Sequence, residues 1–250
     1  MKKFLIVVFA FLLLLALTAC AGENAVLDNS KTYEISSDIH SLDIKINAAD
    51  FKIEEGDKFS LESNLKYLSV SEKDGVLMIF DKAPNGSDYF NASLALCVPV
   101  DTVFKRVEIL SGAAKLTADT LSADSLKLRL GAGDIWFGSL NASSYADIEG
   151  GAGKITVADG TLNNLSLEMG AGELELTLAM RGDCDLEFGI GNSDLTLIGS
   201  EDDYSVDIER GIGSISVDGN DVLNFSSRNG PNHIDIEGGI GNVNIKFRAE

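Results

Sequence analysis

The stretch LKLRLGAGDIWF, residues 126–137, decides the fold of this chain. Apolar and polar residues alternate on both sides of its Gly-Ala-Gly triplet, which is the pattern of a strand with one buried face. Triplets of this kind recur seven times, and they begin at Gly112, Gly131, Gly151, Gly170, Gly189, Gly211 and Gly239. A spacing of about 20 residues is typical of stacked repeats, in which each unit buries its apolar face against its neighbours.

We therefore predict an all-β fold, a single-stranded β-helix or β-roll-like solenoid of short coils with a period of about 20 residues. Each triplet is predicted to be a corner, because glycine adopts backbone conformations closed to other residues and lets coils approach closely. The middle Ala or Ile of each triplet is expected to point to the core. The expected corner glycines are Gly131, Gly133, Gly151, Gly153, Gly170, Gly172, Gly189, Gly191, Gly211, Gly213, Gly239 and Gly241.

The repeat also predicts how the chain is divided. The expected parts are a β-solenoid domain at 33–250, with an irregular N-terminal section at 33–110 and regular coils at 111–250. The longest interval between triplets holds an insertion, Asp218 to His233. The last strand is expected to end the stack, where the charges of Lys246 and Arg248 would discourage edge-to-edge growth.

Residues 1–19 are predicted to be a secretory signal, with two lysines ahead of an apolar run from Phe4 to Leu17. The string LTAC, residues 17–20, resembles the cleavage site of bacterial lipoproteins. That resemblance implies cleavage between Ala19 and Cys20 and a lipid on the Cys20 sulfur. Residues 20–32 would then be the lipidated N-terminus and a short linker.

Two alternatives for this segment are a transmembrane anchor and an ordinary secreted protein. The apolar run is short for a membrane span, which needs about 20 residues. Two or three acyl chains would hold a protein firmly at a membrane, whereas one chain binds only marginally. We therefore predict an extracytoplasmic protein that is lipid-anchored to the bacterial cell membrane.

The charge of the chain restricts its partners. The formal net charge is −19, and it becomes −21 without residues 1–19, because that segment carries two lysines and no acid. Such a surface repels nucleic acid and anionic headgroups. It suits a soluble domain outside the cell, a cationic partner or diffusely bound divalent cations.

A further pattern runs through most of the chain. It consists of the segment IKINAADFKI at residues 44–53, a strand ending in Val98 and Pro99, the string VEI at 107–109 and the glycine coils up to residue 247. This layout resembles the DUF4097 family of bacterial envelope proteins, whose members are often labelled adhesins. The resemblance covers roughly residues 33–248 and implies a right-handed β-helix or β-roll in a membrane-anchored or stress-associated envelope protein. The chain departs from the pattern at Ala114, where the first triplet lacks its second glycine.

No metal site or cofactor is predicted. The string GGAGK, residues 150–154, begins like a calcium-binding β-roll repeat, but Thr156 stands where that repeat needs aspartate. His40 and His233 are isolated in the sequence, which argues against a zinc site or an acid-base triad.

No catalytic residue is predicted either. Acidic residues are abundant, but Asp134 and Glu173 recur at equivalent positions after the triplets, which is typical of a solvated ladder rather than a catalytic pair. Trp136 is expected to point outward, where it would bind a sugar or a partner, or pack under a neighbouring loop. Cys97 and Cys184 either form one bridge or leave Cys184 as a small buried side chain.

These observations predict a membrane-anchored lipoprotein whose β-solenoid is a non-catalytic adhesion or envelope interaction module. Its partners would be the membrane, through the lipid, and an envelope protein or glycan. One alternative is a protein that senses envelope stress or regulates a partner. The other is a polysaccharide-active β-helix enzyme.

Overall fold

The computed structural model describes residues 26–249 except Arg210, Asn224 and Asn229, and only the backbone of Arg228. The predicted signal at 1–19, with Ala19, and the lipid site Cys20 lie outside the described residues. Within them the chain is almost entirely β, with a short 3-10 helix at Glu201–Asp203. The strands are β1 Leu27–Glu34, β2 Ser41–Ile46, β3 Asp50–Gly56, β4 Ser60–Leu65, β5 Leu68–Lys73, β6 Val76–Asp81, β7 Ser93–Pro99, β8 Val103–Ala113, β9 Lys115–Val157, β10 Gly160–Asn163, β11 Leu165–Arg181, β12 Asp183–Ile198, β13 Tyr204–Glu209, β14 Ile215–Val217, β15 Asn220–Val222, β16 Phe225–Arg228, β17 Asn232–Glu237 and β18 Val243–Arg248.

The regular coils stack as parallel strands in register, so that each inward residue lies over its equivalent in the next coil. Before the corner, Leu167 pairs with Ile148 of one neighbouring coil and with Leu186 of the other. Strand β9 has 43 residues, because its ladder continues through the glycine corners without a break. The predicted all-β solenoid is confirmed, and its sheet is open rather than closed on itself.

The core is a set of apolar columns that run along the stack. Leu167 and Leu186 are each 2% exposed or less, and Leu162 on the third side of its coil is fully buried. Burying one such aliphatic side chain stabilises the fold by roughly 1.5–3 kcal/mol. Because a single coil has no second layer of its own, each coil depends on its neighbours for this burial.

Two different constraints act on the glycine corners. The glycine at the third position of each later triplet has φ between +133° and +154°, a region that other residues rarely adopt. The first glycine lacks such a φ, but a Cβ added at Gly170 would still overlap the carbonyl oxygen of Gly151. Ala114 fits the third position of the first triplet because the chain there has no positive φ and the strand is interrupted. The glycines with positive φ at the third position of a triplet are Gly133, Gly153, Gly172, Gly191, Gly213 and Gly241.

The middle residue of each later triplet lies on the outside, not in the core as predicted. Ile190, Ile240 and Ile212 are 61%, 51% and 72% exposed. Leu130 and Ile135 flank one triplet and are both buried, although strict alternation would place residues five apart on opposite faces. The positive φ of the glycine at the third position shifts the alternation by one residue, and the side chain at the middle position therefore lies outside.

Antiparallel strands extend both sides of the stack at its N-terminal end. Strand β6 pairs parallel with β2, and β5 then pairs antiparallel with β6. On the other side β7 pairs with β4, and β4 with β1. Strand β1 starts at Leu27, and both Leu27 and residues 31–34 pair with β4. The sheet therefore begins within the segment 20–32 that was expected to be a linker. Cys97 and Cys184 are both free thiols.

The last coil in the sequence is not the last coil of the stack. Strands β17 and β18 lie between β12 on one side and β13 and β14 on the other. Only Val243, Asn244 and Ile245 of β18 pair with β14, so Lys246 and Arg248 lie on the part of β18 that pairs with β12 alone. That these two charges discourage edge-to-edge growth stays a prediction for this part of the strand. Strands β15 and β16, from the predicted insertion, pair antiparallel with β14 and β13 instead. A turn with positive φ at Asp218 and Gly219 reverses the chain, which then returns to the inside of the stack.

The corner constraint gives a first prediction. Gly172→Ala should lower the free energy of unfolding by about 2–5 kcal/mol, because backbone strain and overlap with Gly153 each cost roughly 1–3 kcal/mol. Gly86→Ala is the matched control, since Gly86 has φ +80° with open space around it, and it should lose only about 1–2 kcal/mol. Urea unfolding followed by circular dichroism measures both. Equal losses would contradict a role for close stacking.

The coil order gives a second prediction. In a Cys97→Ser, Cys184→Ala background, Asp194→Cys with Asn244→Cys should form a disulfide, because the two residues pair on adjacent strands. Asp194→Cys with Ser216→Cys should not, since the β18 strand separates them by about 10 Å and a disulfide needs Cα atoms within roughly 7 Å. Migration on non-reducing gels reads out both pairs. A disulfide in the second pair alone would indicate instead that the coils stack in the order of the sequence.

Candidate interaction surface

An acidic column crosses the outer face of the stack just before the glycine corners. Parallel register places Glu168 between Glu149 and Glu187, and Glu237 between Glu187 and Glu209. Neighbouring members are about 4.8 Å apart along the stack. We call these five glutamates, Glu149, Glu168, Glu187, Glu237 and Glu209, the glutamate column.

A second column on the same face adds to this charge. Two residues before the glutamates, register aligns Asp185 with Asp235 and Asp235 with Asp207. Like charges directly opposite each other on adjacent strands are destabilising. The face therefore carries an electrostatic cost that the apolar core must offset.

Arg129 neutralises one end of this face. Its two terminal nitrogens each lie 2.7 Å from a carboxylate oxygen of Asp147, and its Nε lies 2.7 Å from Glu149. The hydrogen bonds from Arg129 hold the pKa of Asp147 below its usual value, and Asp147 in turn raises the pKa of Arg129. Among the described residues, Glu168, Glu187, Glu237 and Glu209 form no ion pair.

A groove of about 590 Å³ runs beside the glutamate column across five coils. Its floor is formed by stacked glycines, with apolar side chains between them, and Arg129, Glu149, Glu168 and Glu187 line it as well. Because a Cβ at each of these glycines would meet the carbonyl oxygen of the adjacent coil, the floor of the groove is bare backbone. The floor glycines and apolar residues are Gly131, Gly151, Gly170, Gly189, Leu110, Leu130, Met169 and Phe188.

An apolar column lies on the opposite side of the corner from the glutamates. Register pairs Ala171 with Ile190, while Ile240 bridges to both Ile190 and Ile212. The three isoleucines, each more than half exposed, thus lie side by side on adjacent coils, and we call them the isoleucine column. Large exposed apolar side chains that adjoin one another are typical of a binding surface, whereas single ones are ordinary.

The histidines and the single tryptophan do not join this surface. His40 bonds Ser41 at the N-terminal end of the stack, at 3.1 Å, while His233 lies on β17 near Asp183 and Asp235. Trp136 is 40% exposed, and its ring reaches over Gly138 of its own strand. Within the described residues no group of three or more His, Cys, Asp or Glu side chains is arranged to hold a metal ion.

Two further expectations concern the polar residues after the triplets and the cysteines. Lys154 contacts Glu175 at 2.5 Å and Glu173 at 3.7 Å, so this part of the ladder is ion-paired on the stack surface. Cys184 is buried, and burial raises the pKa of its thiol.

In the part of the chain that the structure describes, no helix is long and apolar enough to cross a membrane.

The Arg129 ion pairs give a third prediction. Arg129→Met should lower the free energy of unfolding by about 1–2 kcal/mol at neutral pH, between the values for exposed and buried pairs. Lys31→Met, which removes the exposed pair with Asp28, should have no measurable effect. Urea unfolding at several pH values measures the difference from the wild type.

The pH dependence of that loss follows from the lowered pKa of Asp147. The stabilisation is fully present above the unfolded pKa of aspartate, about 3.9, and is lost as the pH falls through the lower folded pKa. The Arg129→Met deficit should therefore be equal at pH 7 and pH 5 and narrow only below about pH 4. A deficit that already narrows between pH 7 and pH 5 would contradict this assignment.

Several solved structures resemble the chain at a distance. A candidate adhesin from Bacteroides fragilis has 12% identity and a TM-score of 0.46, with 88% of this chain and 96% of that chain covered. A candidate adhesin from Parabacteroides merdae has 14% identity and a TM-score of 0.40 over 88% and 95% of the two chains. A candidate lipid-binding protein from Parabacteroides distasonis has 12% identity and a TM-score of 0.33 over 88% and 94%. At these TM-scores the likenesses carry no argument about function.

No curated protein matches the chain. A family model does match, and its description is Toastrack DUF4097. The match extends over residues 91–246, which is more than half of the chain and includes the glycine corners and the outer face described above. The chain therefore belongs to the Toastrack DUF4097 family.

Proposed function

We propose that the chain is a non-catalytic adhesion or interaction module of the bacterial envelope, held on the outer side of the cell membrane by a lipid on Cys20. The observation that carries the proposal is the pairing of an exposed isoleucine column with a largely unneutralised glutamate column along one corner of the stack. Exposure of the isoleucines to water is unfavourable in free energy, and so is the proximity of like charges among the glutamates. A partner that covers them would relieve both costs.

The regularity of the acidic face supports binding rather than catalysis. Glycoside hydrolysis requires two carboxyl groups with different protonation states, set by different surroundings. Glu168, Glu187 and Glu237 instead occupy equivalent places on successive coils, each beside the next glutamate. Such a ladder presents repeated charge to a partner and does not single out an acid and a base.

The solenoid geometry supports a role at a surface. Regular parallel coils give a stiff stack with long flat faces, and each outward position is repeated at about 4.8 Å. The predicted solenoid at 33–250, linked to Cys20 by the few residues before it, would hold such a face close to the membrane. The net charge of −21 that remains without residues 1–19 would repel anionic lipid headgroups, so the face would stay near the membrane without lying on it.

The lipid anchor gives a fourth prediction. Cys20→Ala should release the protein from the membrane fraction or leave it as an unprocessed precursor, because the acylated sulfur is absent. Cys97→Ala is the matched control, since Cys97 is a free thiol in the solenoid, and it should leave processing and attachment unchanged. Fractionation of the producing cells and incorporation of labelled palmitate measure both variants. Normal processing and membrane attachment of Cys20→Ala would overturn the anchor.

The non-catalytic part of the proposal has its own test. The purified mature protein should release no reducing ends or fragments from isolated envelope glycans. Degradation that a single substitution such as Glu168→Gln abolishes would overturn the proposal in favour of a polysaccharide-active enzyme.

A further inference from the structure

We propose that the isoleucine column and the glutamate column together form a docking surface for a basic amphipathic α-helix of a partner protein. This inference rests on the proposed function as an interaction module, and it specifies the partner. The apolar stripe of the helix would cover Ile190, Ile240 and Ile212. Lysine or arginine side chains on one flank of the helix would pair with the glutamates.

The charge of the surface sets the charge of the partner. The glutamate column presents five carboxylates in a row, and among the described residues Arg129 forms an ion pair only with Glu149 at one end. A second copy of this chain, with a net charge of −19, would bring acid against acid. Nucleic acids and anionic lipid surfaces are repelled for the same reason. A cationic polypeptide is the macromolecule that complements both columns.

The spacing of the columns distinguishes a helix from a strand. Equivalent residues on successive coils are about 4.8 Å apart, and a helix laid along the stack repeats its side chains once per turn, about every 5.4 Å. The mismatch is about 0.6 Å per coil, which is tolerable over the three coils that carry isoleucine. An extended strand repeats on one face about every 6.6 Å and loses register after one or two coils.

The width and length of the surface also fit a helix. Glu187 and Ile190 are three residues apart in the chain, so their backbones are at most about 11 Å apart. A helix with its side chains is about 10–12 Å across and can contact both columns at once. The glutamate column spans five coils, and four intervals of about 4.8 Å give roughly 19 Å, the length of about 13 helical residues.

The test uses the complete mature chain carrying Cys20→Ser, so that no lipid competes for an amphipathic peptide. The probe is a fluorescent peptide of about 18 residues, built from leucine and lysine in helical period. One control peptide has the same composition in strict alternation, and another has glutamate in place of lysine. Binding is measured by fluorescence anisotropy, and helix formation by circular dichroism.

Two double variants examine the two columns separately. Ile190→Ala with Ile240→Ala should weaken binding of the helical peptide about tenfold or more, as expected for the apolar centre of an interface. Glu187→Gln with Glu237→Gln should weaken binding and reduce its dependence on salt. Phe90→Ala and Glu55→Gln are the matched controls at exposed sites away from both columns, and each should bind within twofold of the unsubstituted chain. Because the substituted residues are exposed, no variant should unfold below the unsubstituted chain, and the double glutamine variant should unfold at the same or a higher temperature since it removes like-charge repulsion.

The outcomes separate the docking proposal from the proposed function. Equal binding of the helical and alternating peptides, or unchanged binding after the isoleucine substitutions, would overturn helix docking. Failure of the helical peptide to bind, together with binding of a neutral polysaccharide that the same substitutions abolish, would also overturn it while the interaction module stands. Glycan degradation by the purified protein would overturn the proposed function itself.

Discussion

The stacking of glycine on glycine at the corners is the constraint on which the rest of this structure depends. At Gly172 and Gly191 the backbone of one coil lies so close to the next that a Cβ would overlap a carbonyl oxygen. This contact fixes the distance and the register between coils, and register in turn stacks the apolar residues in columns through the core. A shift of one residue would move every inward side chain to the outer face, so the corner and the core enforce each other.

The same register that builds the core also builds the charged face. When each coil carries an acid at the same place before its corner, parallel stacking brings those acids side by side at about 4.8 Å. Arg129 forms ion pairs with Asp147 and Glu149, but the column continues through Glu168, Glu187, Glu237 and Glu209, with which it forms none. Alternating positive and negative side chains along such a column would be more stable than a row of acids. The surviving repulsion is a physical reason to place the function on this face.

The sequence predicts those parts of the fold that depend on local pattern. Period two in residues 126–137 predicts strands with one buried face, and the recurring triplets predict stacked corners; the solenoid confirms both. The orientation of Ile190 could not be derived by the same counting. Alternation counted from the strand before the triplet puts the middle residue inside, whereas alternation counted from the strand after it puts that residue outside. The φ of the third glycine decides between the two, and φ at a glycine is not encoded in a pattern of polarity.

The order of the coils lies beyond local pattern as well, and it shapes the candidate site. The 28-residue interval from Gly211 to Gly239 marks an insertion, but its length does not show that β15 and β16 cap the stack and that the chain then returns to the inside. That return places Ile240 between Ile190 and Ile212, and Glu237 between Glu187 and Glu209. Both columns therefore depend on the coil that is last in sequence being internal in space. In the observed order the first half of β18, Val243 to Ile245, is paired on both sides, while Lys246 and Arg248 pair with β12 alone. The insertion thus does more than lengthen the chain, because it lets the last coil lie inside the stack and completes the surface on which we expect the partner to dock.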